Sequence, residues 1–226
     1  AAEMVLGLQG TIHAPLELLL MLTAAVKRGA PKTFVMGDMP FMSYQCDEAE
    51  GIRNAGRFLT EGTADAVKIE VDGTFTGLVS QMTRAGIPVC AHIGSRPQRA
   101  KHDGGYLAAG RTKSEAARIV EDAIRLEDAG ACLLLIEATP AEVSEEIVRR
   151  TSVPVIGCGA GPACHGQIVV TQDIFGLTEW QPAFAKPVAD IASAIQAAAI
   201  RWKTMVTAAD LGEHPYTMAD ESQNAT

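Results

Sequence analysis

The chain has few basic side chains, few aromatic ones and no long apolar run. Its 19 Lys and Arg residues against 27 Asp and Glu give a formal charge of −8, so we expect no nucleic-acid groove, which needs clustered cations. The longest apolar stretch, Leu16–Val26, contains Glu17 and is shorter than the roughly 20 residues of a membrane span. No basic segment leads into an apolar one at the start, as a signal peptide requires. We therefore expect a cytoplasmic protein without a membrane partner.

Cysteine is also scarce. The five cysteines are odd in number, and no two have the CxxC spacing of a zinc or redox motif. Cys90, Cys132 and Cys158 lie within apolar runs. The pattern predicts buried thiols in a reducing compartment rather than disulfides.

What the 226-residue chain does contain is a regular alternation of short apolar runs and longer amphipathic segments. Several runs are apolar without alternation, which is typical of strands buried on both faces of a parallel sheet. The predicted strands are Thr33–Met39, Ala66–Val71, Ile87–Ile93, Cys132–Glu137, Val153–Cys158 and Ile168–Ile174.

The segments between these runs have helical spacing. The predicted helices are Leu16–Arg28, Glu48–Thr60, Ser114–Asp128, Ala141–Arg150 and Val188–Val206, with Ser114 in the first turn or as the cap. Alternating strands and helices predict an α/β fold built of βαβ units with right-handed crossovers. We expect a single domain over residues 1–209 and a polar tail over residues 210–226.

Polar side chains stand near the carboxyl ends of four predicted strands. They are Asp38, Lys68, Glu70, His92 and Glu137. Each has a structural interpretation by itself, as a turn residue, an ion pair or a core histidine. Together they supply hard oxygen ligands, a cation, an imidazole and a separate carboxylate at the face where barrel enzymes place their sites. This set suits a divalent metal that chelates a 2-oxo acid, with a separate base.

A glycine-rich segment, Gly157–Gly161, follows the fifth predicted strand. It lacks the GK[ST] ending of a phosphate loop, and Pro162 breaks the GxGxxG pattern of dinucleotide binding. We interpret these glycines as positions where the backbone approaches a ligand or a neighbouring strand.

Seven motifs appear in the order found in one enzyme family. They are AAVKRGAP, GDMPFMSYQ, AVKIE, GIPVCAHIG-x-x-PQ, GGY-x-x-x-GR, LEDAGACLLLIEATPAE and VPVIGCGAG followed by GQIVVTQDIFGL. With them the chain resembles the ketopantoate hydroxymethyltransferases, which are (β/α)8 barrels of the phosphoenolpyruvate mutase and isocitrate lyase superfamily. The resemblance implies Mg²⁺-dependent transfer of a hydroxymethyl group from 5,10-methylenetetrahydrofolate to 2-oxo-3-methylbutanoate, giving 2-dehydropantoate for pantothenate synthesis. It also implies a homo-oligomer, commonly a decamer.

The resemblance assigns roles to the five polar residues. Asp38 would bind the metal and contact the substrate, and Glu70 would be the second carboxylate of the metal site. Lys68 and His92 would hold the 2-oxo acid. Glu137 would accept the C3 proton and so form a metal-bound enolate, because chelation of the 2-oxo group acidifies that position.

The sequence also departs from the family pattern. A GDS-type motif on an earlier strand would lie before Ala1, so we expect the barrel to lack its first one or two strands in this chain. Leu107, Arg96, His165 and Gln172 replace other residues of the pattern. They leave a second hypothesis open, that of a diverged enzyme acting on another 2-oxo acid without folate, with Arg96 pairing a second carboxylate. A third hypothesis, a non-enzymatic assembly partner, does not account for carboxylates at strand ends.

Overall fold

The structure is a computed structural model that describes residues 2–218. The chain divides into two compact units, one ending at Val169 and the other beginning at Val170. In the first unit, six parallel strands form one sheet in which strand order follows chain order. The strands are β1 Met36–Asp38, β2 Ala66–Glu70, β3 Val89–Gly94, β4 Leu133–Glu137, β5 Val155–Cys158 and β6 Gly166–Gln167.

Helices connect most of these strands, as expected for βαβ units. Those of the first unit are α1 Ala2–Leu6, α2 Leu16–Gly29, α3 Glu48–Thr60, α4 Thr76–Arg84, α5 Ala100–Asp103, α6 Lys113–Asp128 and α7 Ala141–Arg150. Single 3-10 turns lie at Thr11–His13, Gly73–Phe75 and Pro97–Arg99. The second unit contains α8 Thr171–Ile174 and α9 Ile191–Thr207.

The α/β class and the parallel sheet are confirmed, and five of the six predicted strands lie where the apolar runs placed them. The sixth prediction, a strand over Ile168–Ile174, is wrong. The strand is Gly166–Gln167, and it pairs only with Ile156 and Gly157. Since β5 ends at Cys158, the β-branched residues that follow Gln167 have no strand residues to pair with. Thr171–Ile174 forms a helical turn instead.

The five predicted helices are present, with ends shifted by at most a few residues. Thr112 rather than Ser114 caps α6, in a capping box with Glu115. Helix α4 was not predicted from the sequence. Its glycine, serine and threonines have low helix propensity, and the helix is stabilised by burial of Leu78 and Met82 against the sheet.

The sheet has two faces with different chemistry. The outer face is apolar and packs against the helices to form the main core. It comprises Val67, Ile69, Val89, Ala91, Ile93, Leu134, Ile136 and Val155. The inner face alternates with it and comprises Met36, Asp38, Lys68, Glu70, Cys90, His92, Leu133, Leu135, Glu137 and Cys158.

Two of the three thiols expected to be buried, Cys90 and Cys158, are buried, whereas Cys132 is exposed. The prediction of one domain over residues 1–209 stays a prediction, and the last part of the predicted tail, residues 219–226, lies outside the described residues. Within residues 2–218, no helix combines the length and the apolar character that a membrane crossing requires.

Gly37 on β1 packs directly against α3. A Cβ at this position would lie 2.3 Å from Cδ1 of the fully buried Phe58 ring. We expect Gly37→Ala to lower the free energy of unfolding by about 1–3 kcal/mol, because the ring and strand must move apart. Equilibrium urea denaturation measures the change.

Gly56→Ala provides the matched control on α3 itself. A Cβ there would meet nothing within 4 Å, so this variant should be more stable by about 0.5–1 kcal/mol through helix propensity. Equal or greater stability of Gly37→Ala would contradict the close contact between β1 and α3.

Candidate functional site

The five polar residues predicted from the sequence lie on the inner face of the sheet. The parallel register places Asp38 beside Lys68 and Glu70 beside His92. Glu137 lies one strand further on, beside Gly94. Because each residue is at or near the carboxyl end of its strand, the register brings the five side chains together at the carboxyl-terminal end of the sheet.

All five line one small cavity of about 160 Å³. Its polar wall comes from the strands, and its remaining wall comes from the chain preceding β1 and from two prolines that follow strands. The other lining residues are Ala2, Thr11, Ala14, Leu19, Pro40, Pro97 and Gln98. We refer to this space as the small cavity.

Lys68 is the cation of the small cavity. Its Nζ lies 2.6 Å from Oδ1 of Asp38 and 3.5 Å from Nδ1 of His92. Burial by itself disfavours the charged ammonium, but the charges of Asp38 and Glu70 outweigh it and raise the pKa of Lys68 above its ordinary value. Lys68 therefore stays charged.

His92 is buried and neutral in its resting state. Burial and the neighbouring charge of Lys68 lower its pKa, against the opposing effect of Glu137. Since Lys68 can only donate, Nδ1 of His92 must accept and the proton must be on Nε2. Nε2 lies 3.3 Å from Oε2 of Glu137, yet without hydrogen-bond geometry to any described residue. A buried N–H without a hydrogen-bond acceptor is suited to donate to a ligand oxygen.

Glu70 is the most enclosed carboxylate of the set. Its Oε2 accepts the backbone N–H of Gln98 at 2.9 Å. Burial raises the pKa of Glu70 to about 7, and the charge of Lys68 and the bond from Gln98 offset this only in part. A carboxyl group that burial makes costly to ionise gains most from a bound cation.

The two carboxylates Asp38 and Glu70 are the candidate metal ligands. Within residues 2–218, no three His, Cys, Asp or Glu side chains are grouped as a ready-made metal site. Mg²⁺ does not require such a cage, because it keeps several waters and is commonly held by one or two carboxylates together with substrate oxygens. The donor set therefore fits Mg²⁺ and fits zinc poorly.

Several cavity residues were not found from the sequence, nor was Tyr44, which contacts the cavity residue Gln98. Gln98 and Tyr44 lie within motifs quoted above, but neither the spacing nor the strand pattern indicates what they contact. Thr11, Ala14 and Leu19 belong to a segment without strand or site signals, and only the folded chain brings them against the inner face.

A larger groove of about 740 Å³ lies between α6 and the loops after β2 and β3. None of the five residues lines it, so its size does not make it the reaction site. Arg96 lines this groove, and its Nη1 lies 2.7 Å from Oδ2 of Asp72. Although burial opposes ionisation, hydrogen bonds from Thr74 and Arg96 lower the pKa of Asp72 to about 2. The charge of Arg96 is thus already compensated, which removes the main support for a second substrate carboxylate.

The other substitutions in the family pattern also lie outside the small cavity. Leu107 lines the larger groove. Nδ1 of His165 accepts the backbone N–H of Val155 at 3.0 Å and so contacts the start of β5. In the glycine-rich segment, a Cβ on Gly157 would lie 2.7 Å from Oε1 of Gln167, which agrees with the expected close approach of a neighbouring strand.

Comparison with known proteins adds independent information. The sequence profile of the family described as Ketopantoate hydroxymethyltransferase matches residues 1–214. The 3-methyl-2-oxobutanoate hydroxymethyltransferase of Hyperthermus butylicus is 46% identical over 194 residues, covering 86% of this chain and 67% of that protein. The enzyme of that name from Pyrobaculum aerophilum is 43% identical over 211 residues, covering 93% of this chain and 79% of that protein.

Solved structures give the same fold. Phosphonopyruvate hydrolase matches with a TM-score of 0.51 at 14% identity, covering 98% of this chain and 77% of its own. A structure of that enzyme in complex with oxalate and Mg²⁺ also gives a TM-score of 0.51 at 14% identity, covering 95% and 75%. At this level of identity the likeness shows the fold alone.

The raised pKa of Glu70 leads to a prediction for the metal-free protein. A carboxyl group whose pKa rises from 4.5 to about 7 on folding destabilises the fold once it ionises. The wild type should therefore lose stability relative to Glu70→Gln as the pH rises from about 4.5 to 7, and the difference should stay constant above 7. We expect the variant to be more stable there by up to about 3 kcal/mol.

Urea denaturation in EDTA at several pH values measures this difference. Exposed Glu145 on α7 supplies the control, since Glu145→Gln should give a stability profile parallel to the wild type. Parallel profiles for Glu70→Gln and the wild type would show that burial does not penalise the ionised carboxylate.

Proposed function

Since the chain belongs to the ketopantoate hydroxymethyltransferase family, we propose that its small cavity catalyses hydroxymethyl transfer to 3-methyl-2-oxobutanoate. One observation supports this choice above the others. Asp38, Lys68, Glu70, His92 and Glu137, each assigned a role by the resemblance, line a single cavity at the carboxyl edge of the sheet. The product is 2-dehydropantoate, an intermediate of pantothenate synthesis.

We further propose that the six parallel strands are part of a (β/α)8 barrel. The location of the site at the strand ends and the sequential strand order support this architecture. The relatives are longer than this chain, which spans 67% and 79% of the two described above.

The size and lining of the small cavity suit a short 2-oxo acid. Its volume of about 160 Å³ accommodates a few non-hydrogen atoms and does not accommodate a folate. Lys68 supplies the positive charge for the substrate, and Nε2–H of His92 supplies a donor for one oxygen. The apolar side of the cavity, which includes Ala14 and Leu19, is suited to the branched alkyl group.

Asp38 and Glu70 are the residues that would hold Mg²⁺. Both face the small cavity, and each has one oxygen engaged, by Lys68 and by Gln98 respectively. The ion, when bound, acts as a Lewis acid that polarises the 2-oxo group and acidifies the neighbouring C3–H bond. Glu70, whose carboxyl group burial makes costly to ionise, would gain most from holding the ion.

Glu137 is the base in this proposal. Its side chain is 23% exposed at the edge of the small cavity, and its Oε2 lies 3.3 Å from Nε2 of the neutral His92. It takes the C3 proton, and C3 then forms a bond to the one-carbon unit of 5,10-methylenetetrahydrofolate. Both carbon–nitrogen bonds of the methylene bridge break and water supplies the hydroxyl oxygen, so that tetrahydrofolate leaves with the C3 proton and one proton of water on its two nitrogens. We also propose that the enzyme is a cytoplasmic homo-oligomer, as the family resemblance implies.

The reaction itself is the direct test. Protein supplied with 2-oxo-3-methylbutanoate, 5,10-methylenetetrahydrofolate and Mg²⁺ should form 2-dehydropantoate, measured by liquid chromatography and mass spectrometry. Omission of the folate or addition of EDTA should abolish the product. Absence of product under conditions in which the Hyperthermus butylicus enzyme is active would refute the proposed donor and acceptor.

Substitution of the base separates binding from chemistry. Glu137→Gln should retain Mg²⁺ and substrate binding but lose exchange of the C3 proton with solvent by at least about 100-fold, the lower range of general-base effects. Deuterium incorporation into 2-oxo-3-methylbutanoate without folate, followed by NMR, measures this step alone. Exposed Glu142→Gln on the adjacent α7 is the control, and exchange at the wild-type rate in Glu137→Gln would exclude Glu137 as the base.

A further inference from the structure

Gln98 connects the two carboxylate-bearing strand ends. It lies in the 3-10 turn Pro97–Arg99 that follows β3, and it is only 8% exposed. Its backbone N–H donates to Oε2 of Glu70 at 2.9 Å. Its Nε2 donates to the carbonyl oxygen of Met39, the residue after Asp38, also at 2.9 Å. One residue in the loop after β3 thus contacts the carboxyl ends of both β1 and β2.

The orientation of the Gln98 amide is fixed by its neighbours. Nε2 of Gln45 donates to its Oε1 at 2.9 Å, and the hydroxyl of Tyr44 lies 3.1 Å from the same atom. The carbonyl of Met39 requires a donor at the other end of the amide. A flipped amide would place its NH₂ against the amide donor of Gln45, so only the observed orientation satisfies these groups.

Tyr44 extends the same network to the backbone of Glu70. Its hydroxyl accepts the backbone N–H of Glu70 at 2.9 Å, and Tyr44 is 2% exposed. The single hydroxyl proton is donated either to Oε1 of Gln98 or to the carbonyl of Glu70, which lies at 3.2 Å. Both the side chain and the main chain of Glu70 are therefore held by groups outside β2.

We propose that Gln98 is a positioning residue that fixes Glu70 relative to Asp38 and thereby sets the affinity of the site for Mg²⁺. The inference rests on the proposed function, because it takes these two carboxylates as the ligands. Mg²⁺ demands near-ideal octahedral geometry, so two ligands from different strands must be held at a set separation. Residues that orient metal ligands typically change metal affinity 10- to 100-fold when they are replaced.

Gln98→Met tests the proposal in the full chain. Methionine has a similar length but neither donates to Met39 nor accepts from Gln45 and Tyr44. We expect the Kd for Mg²⁺, measured by isothermal titration calorimetry without substrate, to rise 10- to 100-fold. The concentration of Mg²⁺ for half-maximal activity should rise in parallel, while kcat at saturating Mg²⁺ should fall less than threefold.

Tyr44→Phe is a second variant that keeps the ring in the core and removes only the hydroxyl. We expect a smaller rise in the Kd for Mg²⁺, about 3- to 10-fold, because Gln98 retains its own bonds to Met39 and Glu70. Gln81→Met is the matched control: Gln81 lies on α4, contacts Glu48 and does not line the small cavity. Its Kd for Mg²⁺ should equal that of the wild type.

Asp38→Asn separates failure of this inference from failure of the proposed function. If Asp38→Asn removes Mg²⁺ binding while Gln98→Met and Tyr44→Phe bind it as the wild type does, Gln98 has no positioning role and the metal assignment stands. A lower Tm of the metal-free Gln98→Met protein with an unchanged Kd would likewise show a purely structural role. Equal Mg²⁺ binding by Asp38→Asn and the wild type would overturn both.

Discussion

The ion pair between Lys68 and Asp38 is the interaction on which the inner face of the sheet depends. A buried ammonium group without a partner would lose its proton or destabilise the fold. With Asp38 at 2.6 Å and Glu70 on the same strand, Lys68 keeps its charge. Burial and that charge together hold the imidazole of His92 neutral. Burial and one charged pair therefore act together on the protonation of the neighbouring groups in the cavity.

The two faces of the sheet have different roles: the outer face stabilises the fold, and the inner face carries the candidate site. The outer face, with residues such as Ile69 and Leu134, packs against the helices and forms the large core. The inner face has only a small apolar cluster around Cys90 and Leu135, beneath the polar strand ends. Because successive side chains point to opposite faces, the same short strands serve both purposes. Close contacts such as that of Gly37 with Phe58 let the helices pack against the outer face and exclude water from it.

The elements that surround the cavity come from distant parts of the sequence. Leu19 on α2, Gln98 after β3 and Glu137 on β4 all line it. Tyr44 and Gln98, 54 positions apart in the chain, share a buried hydrogen bond. Gln98 and Tyr44 hold Glu70 from outside its strand, and Gln98 also bonds the carbonyl of Met39 directly after β1. The strand register brings the carboxylates together, and loop residues from distant parts of the chain then contact them there.

The sequence by itself determined the α/β class, five strand positions and the five polar residues of the cavity. It did so because apolar runs mark buried parallel strands and because such strands end at one edge. It misplaced the sixth strand, since the β-branched residues after Gly166–Gln167 look like a strand but have no partner beyond Cys158. Only the tertiary structure decided that Gln98 and Tyr44 hold Glu70 and that Arg96 pairs with Asp72. Such partners depend on the paths of separate loops, and periodicity within one segment carries no information about them.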